Sequence, residues 1–550
     1  MTVESVIKCS ADQRLSKFGE PVCVVCNRYG EYICDATNQD VCSAECRNIC
    51  ILRSQTEDQA NKKLAKKSDE LRRQLGLKVS SISASTADVS SLSWPVPIVD
   101  FTQQQDGVQL PEKLVLNLIS NGYETPTPVQ MQVIPCVLQG HHVLVSAPTG
   151  SGKTASYLIP AIAQILHARD EKEEIMALVL APVRELAIQI ESVAKVLMHG
   201  ITKMKTALIV GGFPVPLQRY RLESRVQLIV ATPGRLLDIF TNYNDSAAIL
   251  PAIRTCVIDE VDLMLDSGFR PQITQIVALF NAQDCKKVQM LFFSATVPDD
   301  VEPFVRQLLG NSACHRIDVC HDESILNESS SYSLSPNVIH DVRWSEDKAK
   351  KKELFTFLKG KSEESTLVFV GSKIGAVMLA EAIQKRCGLI AAAIHADKSQ
   401  QERLRLLESF LTSDVPVLVS TNVLSRGMDL LNVENVVVYD FPKKIADFVH
   451  LIGRVGRFQN ASGKALTLIN RNDCALFHDL VRLLRQIKVS VPSEVYRSMQ
   501  TTKQNNRAKV ASIVVNESKR AFRVRKQLDI DAQSSDWKEW SSYNLKRRRT

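Results

Sequence analysis

The sequence predicts two α/β domains in tandem, each built on a parallel sheet, preceded by a small cysteine-rich module. Three observations carry this. From residue 98 onward, short apolar runs alternate with amphipathic stretches of helical length, the pattern of buried parallel strands joined by crossover helices. A polar stretch over 321–337 breaks the alternation, which then restarts. Seven of the fourteen cysteines fall within the first 50 residues.

In the first domain, 98–320, strands are expected at His142–Ala147, Ala177–Ala181, Ala207–Val210, Gln227–Ala231, Cys256–Ile258 and Val288–Ser294. In the second, 338–495, they are expected at Thr366–Val370, Ile390–His395, Val415–Ser420, Asn435–Tyr439 and Ala465–Ile469. Both spans are domain-sized. An N-terminal segment, 1–19, precedes the cysteine module at 20–53. Residues 54–97 should form a polar helix and then a flexible Ser-rich linker, because 79–97 reads VSSISASTADVSSLSWPVP. Residues 321–337 are a second linker, and 496–550 a basic tail.

Composition narrows the function. Apolar residues at 45% and charged residues at 23% of 550 exclude a wholly disordered or collagen-like chain. No apolar run reaches the roughly 18–20 residues of a membrane span, and the N-terminus lacks the apolar stretch of a secretory signal. The net charge is +8. Residues 501–550 hold thirteen Lys/Arg against five Asp/Glu, so the tail carries the excess and the rest is balanced. Such a tail suits polyanion contact, nuclear import or plain solvation. Lys546–Arg549 is a candidate nuclear address, which favours the nucleus over the cytoplasm.

The strongest motif is Ala147, Pro148, Thr149, Gly150, Ser151, Gly152, Lys153 and Thr154. It follows a strand and opens a helix, the context a phosphate-binding loop needs. Its glycines let backbone N–H groups face phosphate, and the helix N-terminus adds positive potential. Lys153 would reach the β- and γ-phosphates of ATP, and the Thr154 hydroxyl would ligate Mg²⁺. About 105 residues later, Asp259, Glu260, Val261 and Asp262 follow another strand. Carboxylates there lie in the crevice where α/β ligands bind. Asp259 would hold Mg²⁺ through water, and Glu260 would orient and deprotonate the attacking water.

Phosphate loop, DEVD and Ser294–Ala295–Thr296, in that order, resemble the DEAD-box RNA helicases, from about Phe101 to about Val489. The resemblance implies two RecA-like domains and an ATPase that closes them on RNA. It assigns adenine recognition to Gln130 and Tyr123, with Phe101 as the upstream aromatic, and coupling to Asp262, Ser294 and Thr296. It assigns first-domain RNA contacts to Pro182, Arg184, Gly211, Gly212, Thr232, Gly234 and Arg235. In the second domain, Gln400, Arg403, Thr421, Arg426, Gly427 and Asp429 would contact RNA. His450, Gly453 and Gly456 would couple, and Arg454 and Arg457 would be the arginine fingers. Contacts to sugar and phosphate carry no base code, so binding should be sequence-independent.

Four positions depart from the family pattern: Val183 for Thr, Val261 for Ala, Ala396 for Gly and Leu451 for Arg. Leu451 would remove a charge from the expected domain interface and weaken closure.

Cys23, Cys26, Cys42 and Cys46 form two pairs with fifteen residues between them, a spacing that suits tetrahedral zinc. So small a module needs metal to fold. The segment resembles a HIT-type zinc finger, in which two sites interleave. Cys34 and Cys50 are the remaining ligands of a possible second site, and Thr37 stands where another cysteine would be expected. The resemblance implies a protein partner for the finger. Nothing in the sequence points to a membrane or to self-association. The expected function is thus an ATP-dependent RNA helicase; an ATP-gated RNA clamp and a DNA translocase are the alternatives.

Overall fold

The computed structural model describes residues 7–82, 94–103, 108–170, 176–242, 252–282, 288–319, 338–361, 363–421, 424, 433–455 and 463–500. The chain falls into two compact units. The linker over 321–337 and the tail over 501–550 lie outside the described residues.

The N-terminal module has a short antiparallel hairpin, β1 (Tyr32–Cys34) and β2 (Gln39–Val41). Helix α1 (Ala44–Gln74) starts inside it, with the Ser43 side chain accepting from the Cys46 N–H as N-cap. It therefore begins earlier than the expected polar helix and runs straight out of the finger. Gly76, at φ +65, turns the chain out of the helix end, a left-handed position glycine takes at no steric cost.

The chain then enters β3 (Leu77–Ile82), where a helix end and flexible linker were expected. The strand pairs antiparallel with β10 (Cys314–Val319), matching Leu77 to Val319 and Ile82 to Cys314. Serines mask the signal in the sequence, but Leu77 and Val79 alternate with polar neighbours and pack on the core. Finger and first domain are thus joined by a helix and an integral strand.

Helices α2 (Glu112–Ser120) and α3 (Pro128–Leu138) lead to β4 (His142–Ser146), and α4 (Lys153–Asp170) follows it. The remaining first-unit strands are β5 (Met176–Leu180), β6 (Thr206–Ile209), β7 (Leu228–Ala231), β8 (Ile253–Ile258) and β9 (Gln289–Ser294). Sheet order is β3-β10-β4-β9-β8-β5-β7-β6, parallel except at β3. Val143 and Val145 join one apolar cluster and Leu144 the other, so helices cover both faces and the strands read as continuous apolar runs. Each expected strand is present within a few residues.

The second unit has β11 (Val338–Trp344), β12 (Thr366–Phe369), β13 (Ala391–Ile394), β14 (Val417–Ser420), β15 (Asn435–Val438) and β16 (Gly463–Ile469). They form an all-parallel sheet ordered β11-β16-β15-β12-β14-β13. β10 and β11 were not anticipated. Both border the polar break and carry His, Asp and Arg among their apolar residues. No helix among the described residues is long and apolar enough to cross a membrane.

The placement of β3 has a measurable consequence. A chain starting at residue 84 loses the end of α1, with its Arg72 contacts to Gln132 and Pro95, together with β3, which strips one side of β10. It should melt several degrees below a chain starting at residue 55, at about 2–4 °C per kcal/mol for a domain of this size. Equal melting temperatures would show that neither the end of α1 nor β3 stabilises the first domain.

Candidate active site and zinc centre

The phosphate loop leaves the C-terminal end of β4, where the Ala147 N–H donates to the Ser294 carbonyl at 3.1 Å and ties the loop to the end of β9. Gly150 and Gly152 sit at φ +80 and +91. A Cβ on Gly152 would also stand 2.6 Å from Gln130 Nε2, so the position needs glycine for space as well as for conformation. The Lys153 ammonium turns into the loop and donates to the Ala147 carbonyl at 2.7 Å.

The PTPVQ segment is a helix start. Pro128 occupies the first position of α3. The Gln130 side chain reaches back to accept from the Thr127 N–H at 3.0 Å, the third-residue arm of a capping box. This helix start grips the phosphate loop: Thr127 Oγ1 donates to the Ser151 carbonyl at 2.8 Å, and Gln130 Nε2 to the Gly152 carbonyl at 3.3 Å. Both ends of the Gln130 amide are thus engaged within the protein. Phe101 is buried in the first unit's core and Tyr123 partly so.

The carboxylates stand at the end of β8. Asp259 is buried, accepting from Tyr157 Oη at 2.9 Å and from the Glu260 N–H at 2.9 Å. Burial, reinforced by Glu260 beside it, raises its carboxyl from 3.8 to about 7. Glu260 adopts φ +50, ψ +55, a left-handed conformation uncommon for a non-glycine residue and associated with functional strain. Its buried Oε2 has no hydrogen-bond partner. Asp262 accepts from Thr296 Oγ1 at 2.5 Å, and the Thr296 N–H donates to Ser294 Oγ, so DEVD and SAT form one linked unit. Sequence reasoning missed Tyr157. The available signal was its place one turn after Lys153 on the phosphate-loop helix.

The first-unit RNA candidates collect along one rim, at the ends of neighbouring β5, β7 and β6. The Arg184 guanidinium lies over Gly211, where a Cβ would meet Nη2 at 2.8 Å. Arg235 donates to the Phe213 carbonyl at 3.1 Å and lies 3.6 Å from Asp238. Pro182 and Thr232 are buried at this rim. Val183, where the family pattern has threonine, is the N-cap of the helix Arg184–Leu197 and makes no capping bond. A threonine there would add about 1 kcal/mol of helix stability.

In the second unit, Arg403 Nη2 donates to Gln400 Oε1. Thr421 follows β14, its N–H donating to the Ile394 carbonyl at 3.3 Å. His450 lies in the last turn of the helix Ile445–Ile452, Gly453 caps it, and Arg454 Nε donates to the His450 carbonyl at 3.3 Å. Arg426, Gly427, Asp429, Gly456 and Arg457 lie outside the described residues. Leu451 stands where the family pattern has arginine. It is 2% exposed and packs in its own unit's apolar cluster with Phe448 and Ile452, because the segment IADFVHLI turns an apolar face inward. An arginine at Leu451 would bury a charge in that cluster and destabilise it.

In the finger, the sulfurs of Cys23, Cys26, Cys42 and Cys46 all lie within 4.8 Å of one another, with Cys26–Cys42 at 3.3 Å and Cys42–Cys46 at 3.5 Å. That fits one tetrahedral zinc with Zn–S bonds of about 2.3 Å. Among the described residues no second group of metal-ligating side chains gathers around Cys34 and Cys50. Thr37 Oγ1 lies 3.2 Å from Cys50 Sγ, and Cys50 donates to Gln39 Oε1 at 3.3 Å, so hydroxyl and amide fill the space of the missing thiolates.

The purified chain should therefore carry one zinc per molecule, lost in Cys46→Ser. Two equivalents by metal analysis would show that Cys34 and Cys50 recruit ligands not seen around them. The buried Asp259 sets a pH dependence. Its folded-state value is raised, so between pH 4 and 7 the native chain binds more protons than the unfolded one. Stability is lost as pH rises through that window and is level above it. Asp259→Asn should raise the nucleotide-free melting temperature at pH 8 but not at pH 4, while abolishing ATP turnover. A melting temperature unchanged at both pH values would contradict the buried-charge account.

A model of the DEAD/DEAH box helicase domain matches residues 127–304, the helicase conserved C-terminal domain matches 349–459, and the HIT zinc finger matches 19–48. The chain is 40% identical over 526 residues to the probable ATP-dependent RNA helicase DDX59 of Homo sapiens, covering 90% of this chain and 79% of that protein. It is 42% identical over 514 residues to DEAD-box ATP-dependent RNA helicase 41 of Oryza sativa subsp. japonica, covering 89% and 91%. Among solved structures, S. cerevisiae Dbp5 bound to RNA and ADP BeF3 superposes with a TM-score of 0.59 at 25% identity, covering 73% and 98%. With its phosphate loop, DEVD and SAT assembled on one sheet edge and a four-cysteine finger in front, the chain belongs to the DEAD-box ATP-dependent RNA helicases and carries an N-terminal HIT zinc finger.

Proposed function

We propose that Glu260 orients and deprotonates the attacking water and that Thr154 and Asp259 hold magnesium, so that ATP hydrolysis drives local melting or remodelling of short RNA duplexes. The observation that carries this is the strained Glu260, whose buried carboxylate oxygen has no hydrogen-bond partner, beside a desolvated Asp259 on the same rim as the phosphate loop. Magnesium would neutralise charge on the β- and γ-phosphates. Lys153 leaves the Ala147 carbonyl for phosphate, and Tyr157 holds Asp259 in place. Arg454 and Arg457 supply positive charge to the transition state once ATP and RNA are bound. Thr232, Arg235, Thr421 and their neighbours bind sugar and phosphate without reading bases.

The finger recruits a protein. Six apolar side chains of the module and its helix are exposed, namely Leu15, Phe18, Val22, Val24, Ile33 and Leu52, and we take them as the contact surface. Lys546–Arg549 directs the chain to the nucleus, and loss of nuclear enrichment on deleting 546–549 is the expected outcome.

Glu260→Gln should bind ATP, stall hydrolysis and hold RNA in an ATP-dependent manner. Wild-type hydrolysis by Glu260→Gln would remove its role. A wild-type chain that hydrolyses ATP and retains RNA but releases no strand from a short duplex would point instead to an ATP-gated clamp.

A further inference from the structure

The helix that leaves the finger ends against the frame of the nucleotide site. Arg72 lies in the last turn of α1 and is 4% exposed. Its Nε donates to Gln132 Oε1 at 2.7 Å, its Nη2 to the Pro95 carbonyl at 2.9 Å and its Nη1 to Asp69 Oδ1 at 2.7 Å. Gln132 Nε2 donates to the same Pro95 carbonyl at 3.0 Å, which closes a triangle. The Pro95 carbonyl is itself held in place, because the preceding Trp94 ring packs on His315 of β10 with centroids 4.2 Å apart. The segment then gives its Ile98 N–H to the Met131 carbonyl of α3 at 2.9 Å.

One guanidinium therefore fastens three stretches of chain: α1, the Trp94–Phe101 segment and α3. Of these, α3 touches the phosphate loop directly, through Thr127 to Ser151 and Gln130 to Gly152. Gln132 lies two residues beyond Gln130, so a shift of the Arg72 anchor moves the helix start that grips the loop. Hydrogen bonds to a charged donor are the stronger class, and a planar fork can serve Gln132 and Pro95 at once. A lysine could supply the charge but not that geometry.

We propose that Arg72 is a positioning residue for ATP binding. It sets α3 and, through Thr127 and Gln130, the phosphate loop, so the finger's own helix forms part of the frame of the nucleotide site. This rests on the reading of 147–154 as the ATP loop. Arg72 touches no substrate, so it governs how readily the loop receives ATP and leaves the chemistry of the bound state unchanged.

The test uses the full chain, measuring affinity for a fluorescent ATP analogue together with RNA-stimulated turnover. Arg72→Met should raise Kd and KM for ATP roughly tenfold, the scale of one hydrogen bond to a charged group, with kcat within about twofold of wild type. Arg72→Lys should fall between the two. Gln132→Leu should act in the same direction, and the double variant should be no worse than the weaker-binding single, because both changes break one linkage. Should Arg72→Met not fold by its melting curve, Arg72→Lys and Gln132→Leu carry the comparison. Unchanged ATP affinity in folded variants, a fall in kcat at constant KM, or additive losses in the double variant would each overturn the proposal. Lys153→Ala is the control: if it retained full ATP affinity and turnover, the reading of the loop would fail, whatever Arg72 does.

Discussion

A carboxylate buried without a full counter-charge governs this molecule. Among the described residues Asp259 accepts hydrogen bonds from a tyrosine hydroxyl and one backbone N–H, and the nearby Lys153 only partly offsets its burial and the adjacent Glu260. Leaving such a group desolvated costs stability, and the raised carboxyl of Asp259 is the direct sign of that cost. A structure that only needed to be stable would have an apolar residue there. The arrangement makes sense when a ligand adds positive charge beyond that of Lys153, and the phosphate loop lies on the same rim. The parallel sheet makes this possible because it brings the ends of β4, β8 and β9 side by side. The Ala147–Ser294 and Asp262–Thr296 hydrogen bonds lock those ends into one unit.

The same rim, further along, carries Arg184 over Gly211 and Arg235 against the Phe213 carbonyl. Phosphate chemistry and RNA-contact candidates are thus side by side on a rigid scaffold. The finger is not a loose appendage of that scaffold. Its zinc ligand Cys46 lies in the first turn of α1, and the chain beyond that helix contributes an edge strand to the first sheet. The finger is thus tied covalently, through α1 and β3, to the domain that binds ATP.

Much of this was legible in the residues. Parallel strands buried on both faces leave unmistakable apolar runs, so eleven strands were found where expected, and the phosphate loop, DEVD and SAT identified the site by their order. The failures have physical reasons. β3 hid because Ser80 and Ser81 run into a Ser-rich stretch that resembles a linker by composition, although Leu77 and Val79 keep the alternation. β10 and β11 hid because they carry charged residues at sheet positions near the polar break. Tyr157 was missed because it belongs to no motif and reaches Asp259 only through the fold. The packing of Leu451 was not readable because a pattern that calls for arginine says nothing of the apolar face on which this helix packs. Spacing marked Thr37 as a missing cysteine, but its contact with Cys50, and that of Gln39, arise only once the hairpin folds.

The most direct test of the account is ATP turnover by the purified full-length chain at saturating Mg-ATP, with no nucleic acid, with single-stranded RNA and with single-stranded DNA of the same length. The account predicts slow basal hydrolysis that RNA accelerates strongly and DNA does not. Equal acceleration by DNA, or no hydrolysis with RNA, would contradict it.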